Sequence, residues 1–454
     1  MNRDSIDLGS VDIPRLFKAY LVPTLLGMLS MCAVTATDGI FVGRGVGSDA
    51  LAAVNICVAP TMLMVGLGLM LGVGTSVVSS IHLAEGNVKA ARLNMTQALA
   101  FGSLMVILFL VATLASIPTT ARFLGSSETL LPYVTSYMPW LFVNCLFQIW
   151  SAIGLFVVRL DGSPKYAMWS NVLPGLINVV LDYVFIFPLG MGIFGAAVAT
   201  TISCFVGFLM VVAYLTGFAS KLRLIRLKFS RNSLMLSMRN IGYQCKIGVS
   251  ALLGEATMGM LMLTGNYVFM HYIGDDGVGA FSIACYYCPF AFMIGNAIAQ
   301  SAQPIISYNF GLGKYGRVVA TERLAIISAV AIGAVVTLSF FLFPSALIGL
   351  FLDGDSEAFK IAVKGMPLFS IAFIFFIFNL TAIGYFQSVK KVNQSIVFAL
   401  LRGLLFLVPA FLVMPMVMGI KGIWLSLFVS EFLTSVVIIV YFLINRSCRA
   451  GRKQ

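Results

Sequence analysis

The sequence predicts an all-α integral membrane protein with twelve transmembrane helices, arranged as two six-helix lobes related by a parallel pseudo-two-fold repeat. Three observations predict it: an apolar composition with few charges, apolar runs of spanning length along the whole chain, and self-similarity at half the chain length.

Of 454 residues, 60% are hydrophobic and only 10% charged. Soluble domains carry about 25% charged residues, and a soluble fold of this size has no interior large enough for so much apolar side chain. Lipid is therefore the expected solvent. A run of about 20 apolar residues crosses a bilayer as a helix. Such runs fall near 13–42, 52–81, 93–117, 131–157, 167–189 and 194–219, then near 241–271, 279–307, 319–345, 361–387, 394–418 and 422–445. The opening stretch "MNRDSIDLGSVD" has acids and no cleavable small-residue site, so the first helix is expected to stay in the mature protein.

The net charge is +12. With the N-terminus on one side and spans alternating, that side collects 23 Lys and Arg residues, seven of them from the linker at 218–246. The other side collects five, and Arg402 falls inside a span. This is the positive-inside asymmetry, so both termini are expected in the cytoplasm of a cell whose inner (plasma) membrane holds the protein. Topology accounts for the basic excess, and nucleic acid is not an expected partner. Most of the eight cysteines are scattered inside spans. "CYYC" at 285–288 lacks the second Cys/His pair that a metal site needs, and His82 and His271 lie near span ends. No cofactor or metal is expected.

"MGIFGAAVATTIS" (191–203) resembles "MGIKGIWLSLFVS" (418–430) at an offset of 227. The same offset pairs Gly47 with Gly274, Asp49 with Asp276 and Gly86 with Gly313. Each half then holds six spans, an even number, so the repeat is parallel. The expected organisation is an N-lobe at 1–219, a basic cytoplasmic linker at 220–240, and a C-lobe with a cytoplasmic tail at 241–454. Secondary transporters are built this way and bind substrate between their repeats.

A charge at mid-bilayer costs roughly 2.5–3.5 kcal/mol on insertion scales, so buried acids are informative. Of 17 acids, 13 precede the first span, lie in loops or sit near a span end; Asp38, Asp182, Glu255 and Glu431 remain. Asp38 and Asp182 belong to the first lobe at similar depth, towards its outer side. In "SNVLPGLINVVLD", Ser170, Pro174, Asn178 and Asp182 recur every four residues and form one helical stripe. Pro174 removes a backbone donor and frees a carbonyl, which predicts a kink. Thr200 and Thr201 offer hydroxyls from the sixth span. Two carboxylates, an amide and a hydroxyl in an apolar lobe suit a proton or Na⁺; the alternative is that the acids line a water-filled outer mouth.

In the second lobe, Glu255 lies well inside span seven, followed by Met258, Met260 and Met262, flexible side chains that either line a substrate cavity or face lipid. Asn296, Gln300 and Gln303 make a polar stripe on span eight, either a substrate wall or a hydrogen-bonded seam between helices. Arg402 and Glu431 are expected to form a structural ion pair.

"DGIFVGRGVGSDALAAV" (38–54), "GVGTSVVSSIHLAEGNVKAA" (72–91), "RLDGSPKYAMWSNVLPGLINVVLDYVFI" (159–186) and "GIFGAAVATTIS" resemble, in order and spacing, the multidrug and toxic compound extrusion (MATE) family. The resemblance covers essentially the whole chain. It implies export of small amphipathic, often cationic compounds in exchange for H⁺ or Na⁺, by a protein that is not an enzyme. It places the coupling site at Asp38, Asn178, Asp182 and Thr200, and matches Glu255 to a helix-seven acid used by another branch as a cation or substrate site. That branch also has an acid in helix ten, where this chain offers only Asn379. A lipid-linked oligosaccharide or lipid flippase of the same superfamily is the alternative; its cavity is rich in cations, whereas Arg402 is the sole intramembrane cation here. A monomer is expected.

Overall fold

The apolar runs fold as helices, and no strand occurs among the described residues. The computed structural model describes residues 6–46, 48–124, 126–227, 230–351 and 356–450, without the side chains of 48–52, 55, 58–59 and 445–450. Gly47 and the side chain of Asp49, two of the repeat positions named above, lie outside the described residues.

The first half contains α1 (Ile13–Gly45), α2 (Ser48–Ala84), α3 (Val88–Leu114), the short α4 (Ile117–Phe123), α5 (Leu131–Leu160), α6 (Pro164–Ile186) and α7 (Gly192–Ala213). A π-helical turn, Tyr214–Phe218, ends α7. The second half contains α8 (Arg231–Tyr272), α9 (Asp275–Gly311), α10 (Tyr315–Leu342), the short α11 (Pro344–Ile348), α12 (Glu357–Ser370), α13 (Ala372–Ser388), α14 (Val392–Leu400), a π-helical turn at Leu401–Leu405, α15 (Leu407–Met418) and α16 (Ile420–Ala450). Among the described residues, eleven segments are long and apolar enough to span a membrane. The pair α12–α13, bent by 42°, makes a twelfth. Pro367, near the break, supplies a reason for the bend, since proline removes a ladder hydrogen bond and crowds the preceding turn.

The repeat is visible in the backbone. The short helices α4 and α11 begin 227 residues apart, each after the third span of its half. Gly86 and Gly313 have φ of +77° and +70°, and Gly192 and Gly419 have +59° and +60°. Only glycine enters that region without a steric penalty, so the turns between helices impose the same residue at the same place twice.

The chain forms two compact units. One comprises residues 1–252 and 304–318, the other 253–303 and 319–454. In the first unit α1 packs on α6, α2 on α5, and α7 on both α5 and α6, around Val42, Phe142 and Ala196. Asp161, at the end of α5, fastens the start of the linker: its carboxylate accepts from the backbone N–H groups of Ser220, Lys221 and Leu222 (2.6, 2.8 and 2.9 Å) and from the Tyr214 hydroxyl. In the second unit α12, α13 and α15 pack on α16, with an aromatic core in which Phe269 stacks on Phe281 and meets Trp424 edge-on.

Candidate functional site

The site begins with a helix crossing. Gly175 of α6 has no side chain, and a Cβ there would stand 2.8 Å from the Val34 side chain of α1. The bare backbone lets α1 approach α6 one turn before Asp38. From Ser170 onward the buried residues of α6 are Ser170, Pro174, Asn178, Asp182 and Ile186, at four-residue steps, so the stripe expected from sequence faces the interior of the first unit. The helix runs unbroken through Pro174. The Ser170 carbonyl, whose helical partner proline removes, stands close to Gly207 of α7.

Asp38 and Asp182 come together. Their carboxyl groups stand beside each other, close enough to share a proton or a cation, and the Asn178 amide adjoins Asp182. Asp182 is fully buried. Neither of its oxygens, nor Oδ1 of Asp38, receives a hydrogen bond from a described residue. The Asn178 amide donates to the Thr200 hydroxyl at 3.4 Å, and that hydroxyl donates to the Ala196 carbonyl. Thr201 turns away and donates to the backbone carbonyls of Trp140 and Ala197. Two carboxylates side by side repel, and buried polar atoms without partners are costly. A proton or a small hard cation held among these oxygens would relieve both penalties, and an all-oxygen donor set suits hard cations. No group of three or more His, Cys, Asp or Glu placed to hold a metal occurs among the described residues.

Sequence reasoning missed two features here. The buried phenol of Tyr137 (α5) lies within electrostatic reach of both acids. Asn144, Gln148 and Ser151 also line the inside of the unit from α5; both amide atoms of Asn144, Oε1 of Gln148 and Oγ of Ser151 accept or donate no hydrogen bond among the described residues. Cys204 of α7 adjoins Asn144 and Gln148. Their i, i+4, i+7 spacing is that of Asn296, Gln300 and Gln303, so the same periodicity would have found them.

Towards the end of the first unit that carries the N-terminus, α2, α3 and α8 are clasped by Gln244. Its Nε2 donates to Asn94 Oδ1 at 2.9 Å, and its Oε1 accepts from the Thr75 hydroxyl at 2.7 Å. A Cβ on Gly74 would lie 2.1 Å from the Gln244 carbonyl oxygen, and one on Gly248 would lie 1.8 Å from that of Met70. The helices therefore touch backbone to backbone. The N-terminal segment adds to this end: Asn309 and Arg317 donate to the Leu8 carbonyl, and Arg317 also to that of Val11.

The remaining candidates lie in the second unit. Arg402, in the π-helical turn, donates through Nε and Nη2 to Glu431 Oε1 at 3.0 and 2.8 Å. Both residues are buried, 1% and 0% exposed. Asn379 donates to Glu431 Oε2 at 2.7 Å and accepts from Ser435, and the guanidinium lies 4.2 Å over the Phe376 ring. Glu255 is half-buried on α8 and has no hydrogen bond or ion pair among the described residues. Met258 is packed in the apolar core with Phe292 and Phe376, and Met262 is partly buried against it. On α9, Gln300 and Gln303 are buried and Asn296 half-buried.

Comparison with known proteins places this geometry. The multidrug export protein MepA of Staphylococcus aureus (strain MSSA476) is 25% identical over 442 residues, 95% of this chain and 94% of the relative. The protein of the same name from Staphylococcus saprophyticus is 24% identical over 434 residues, 94% and 93% of the two chains. A solved structure described as the outward-facing conformation of a multidrug resistance MATE family transporter of the MOP superfamily superposes with a TM-score of 0.89 at 21% identity, over 99% of both chains. The MatE family model matches twice, at residues 23–184 and 251–412, the second match 228 residues after the first. These two matches cover most of the sequence and fall one in each half of the repeat; the chain belongs to the MatE family.

Proposed function

We propose that this protein exports small amphipathic, cationic organic compounds across the plasma membrane in exchange for H⁺ or Na⁺, as a monomer with both termini in the cytoplasm. The observation that carries the reading is the pair of buried Asp182 and half-buried Asp38, set side by side with no cation from a described residue. In an outward-open state the pair takes up the coupling ion, with Asn178 and Thr200 as neutral partners. Neutralising the acids removes their repulsion and alters the hydrogen bonding of α6 beside Pro174. That weakens substrate binding and favours the inward-open state, where substrate enters from the cytoplasm and displaces the ion. A ligand drives such a cycle only through its different affinity for the two states. Glu255, Asn296, Gln300, Gln303 and Met262 are proposed to serve the substrate rather than the coupling ion; Met258, expected at a substrate cavity, is instead packed in the apolar core. Gln244 and the glycine contacts around it hold the cytoplasmic end shut in the outward-open state. The matched relatives are described as multidrug exporters, which favours export over the flippase alternative.

The test is efflux from vesicles with pH and Na⁺ gradients imposed separately. Asp38→Asn and Asp182→Asn are expected to abolish gradient-driven efflux while the protein stays folded. Full gradient-driven efflux in both variants would move the coupling site elsewhere.

A further inference from the structure

Within the second unit, α10, α13 and α16 leave an open groove of about 700 Å³. Ile327, Phe378 and Ile439 give it apolar walls. Arg323 and Lys391 line it as well, near the start of α10 and in the turn after α13. The Lys391 ammonium lies over the rings of Tyr441 and Phe386, at 5.3 and 5.9 Å. Aromatic faces attract a cation electrostatically, so the ammonium is held at the groove. No hydrogen bond or ion pair joins Arg323, or the Lys391 ammonium, to another described residue. Glu322 is on the same wall and has an interaction of its own.

The lining has two chemistries. Ile327 and Ile439 are about half exposed, at 53% and 47%, and face hydrocarbon in a bilayer. Arg323 precedes Ile327 by one helical turn, and Lys391 follows the end of α13, so the cations mark one end of the groove. A ligand that satisfies both parts has an anionic head and apolar tails. An amphipathic cation, the proposed substrate class, meets two positive groups and is disfavoured. A soluble anion leaves the apolar walls uncovered.

We propose that this groove seats an anionic phospholipid, its phosphate between Arg323 and Lys391 and its acyl chains along Ile327, Phe378 and Ile439. Basic pockets between helices at the cytoplasmic face recognise such headgroups. Placing it in the inner leaflet rests on the orientation proposed above; the binding chemistry does not.

The experiment uses the purified full-length protein in detergent, offered phosphatidylglycerol and phosphatidylcholine of identical chains in equal amounts, with retained lipid read by native mass spectrometry. The native chain is expected to retain phosphatidylglycerol with about tenfold preference. Arg323→Gln with Lys391→Gln is expected to abolish the preference. Ile327→Trp, which keeps both cations and fills the groove, is expected to reduce retention of both lipids. Each variant is first shown to be monodisperse. Equal retention of the two lipids by the native chain overturns the proposal. So does a preference that survives in the double variant, retention unchanged by Ile327→Trp, or displacement of phosphatidylglycerol by millimolar glycerol phosphate, which marks a site for soluble anions. Retention requires no transport, so a failure here leaves the export reading standing, and a failure of the Asp182→Asn test leaves this one standing.

Discussion

The two halves of the repeat bury charge in opposite ways. In the first, two acids, Asp38 and Asp182, meet with no cation among the described residues, and three of their oxygens receive no hydrogen bond from a described residue. In the second, Glu431 is met by Arg402 and Asn379, and Asn379 in turn by Ser435. The half-chain spacing of 227 to 228 residues shows how far the halves have diverged. It carries Asp38 to Gly265 or Asn266 and Asp182 to Pro409 or Ala410, none of them acidic. It carries Pro174 into the π-helical turn that holds Arg402. Both devices interrupt the regular helical ladder, the first because proline has no N–H, the second because Phe406 N–H bonds to the Leu401 carbonyl five residues back. A missing or displaced ladder bond at one place in the repeat thus accompanies an acid pair without a cation in one half and an acid met by a guanidinium in the other. Glu431 already has its counter-charge and both its oxygens bonded, although Arg402 Nη1 finds no partner among the described residues; the acid pair of the first half has no counter-charge there.

The largest effect expected from this contrast is on transport. Asp182→Asn removes a buried charge that has no counter-charge among the described residues, so thermal stability is expected to hold or rise while gradient-driven efflux falls to background. Loss of efflux together with a large loss of stability would make Asp182 a packing residue and erase the contrast.

The opposite outcome is expected in the second half. Arg402→Leu leaves Glu431 buried without its cation, and breaking a buried pair from one side costs about 3–5 kcal/mol. A steep drop in folded protein is the expected result. Removing both partners, Arg402→Leu with Glu431→Leu, is expected to recover most of that stability, and gradient-driven efflux with it. Thermal unfolding and vesicle efflux on the three variants decide the matter; a stable double variant without ion-driven efflux would make this half a coupling site too.

Much of this was legible in the sequence because the bilayer enforces it. Lipid permits few structures beyond a helix, so the apolar runs had one outcome, and α12–α13 is the span where a bend divides what the sequence reads as continuous. The acids were legible because a charge in an apolar run is expensive. The four-residue stripe on α6 fixed which face of that helix turns inward. Tyr137 carries no such signal, because a phenol in an apolar run is ordinary; Asn144 was legible only through its four- and seven-residue spacing to Gln148 and Ser151. Nor does spacing reveal that Gln244 bonds residues 169 and 150 positions away, since that pairing depends on how helices remote in sequence pack.

Gln244 gives an intermediate effect. Gln244→Leu removes all three side-chain bonds, to the Thr75 hydroxyl and to the Asn94 amide and backbone oxygens, and leaves the Asn94 amide oxygen buried without that donor, at about 1–3 kcal/mol. In the proposed cycle that loss falls on the closed form of the cytoplasmic end. The variant is expected to shift towards the inward-open state, read as several-fold faster labelling of a cysteine placed in α2 and entered from the cytoplasmic side. Unchanged labelling would reduce Gln244 to an ordinary packing group.

The smallest effect is expected at Glu255, where the contrast between the halves is most exposed to failure. A single carboxylate needs neighbouring oxygens to hold a bare cation. The candidate from α13 is Asn379, and its amide is spent: the nitrogen donates to Glu431, and the oxygen accepts from Ser435. Glu255 also has no hydrogen bond or ion pair with a described residue. On the proposed reading its charge is free to attract a cationic substrate, and the coupling ion belongs to the paired acids of the other half. Glu255→Gln is accordingly expected to change gradient-driven efflux by about twofold, of the order of half a kcal/mol, and to do so for cationic compounds more than for neutral ones. If Glu255→Gln instead silences efflux of both kinds as fully as Asp182→Asn does, the second half holds an ion of its own, and the division of labour between the halves fails at the residue where it was least protected.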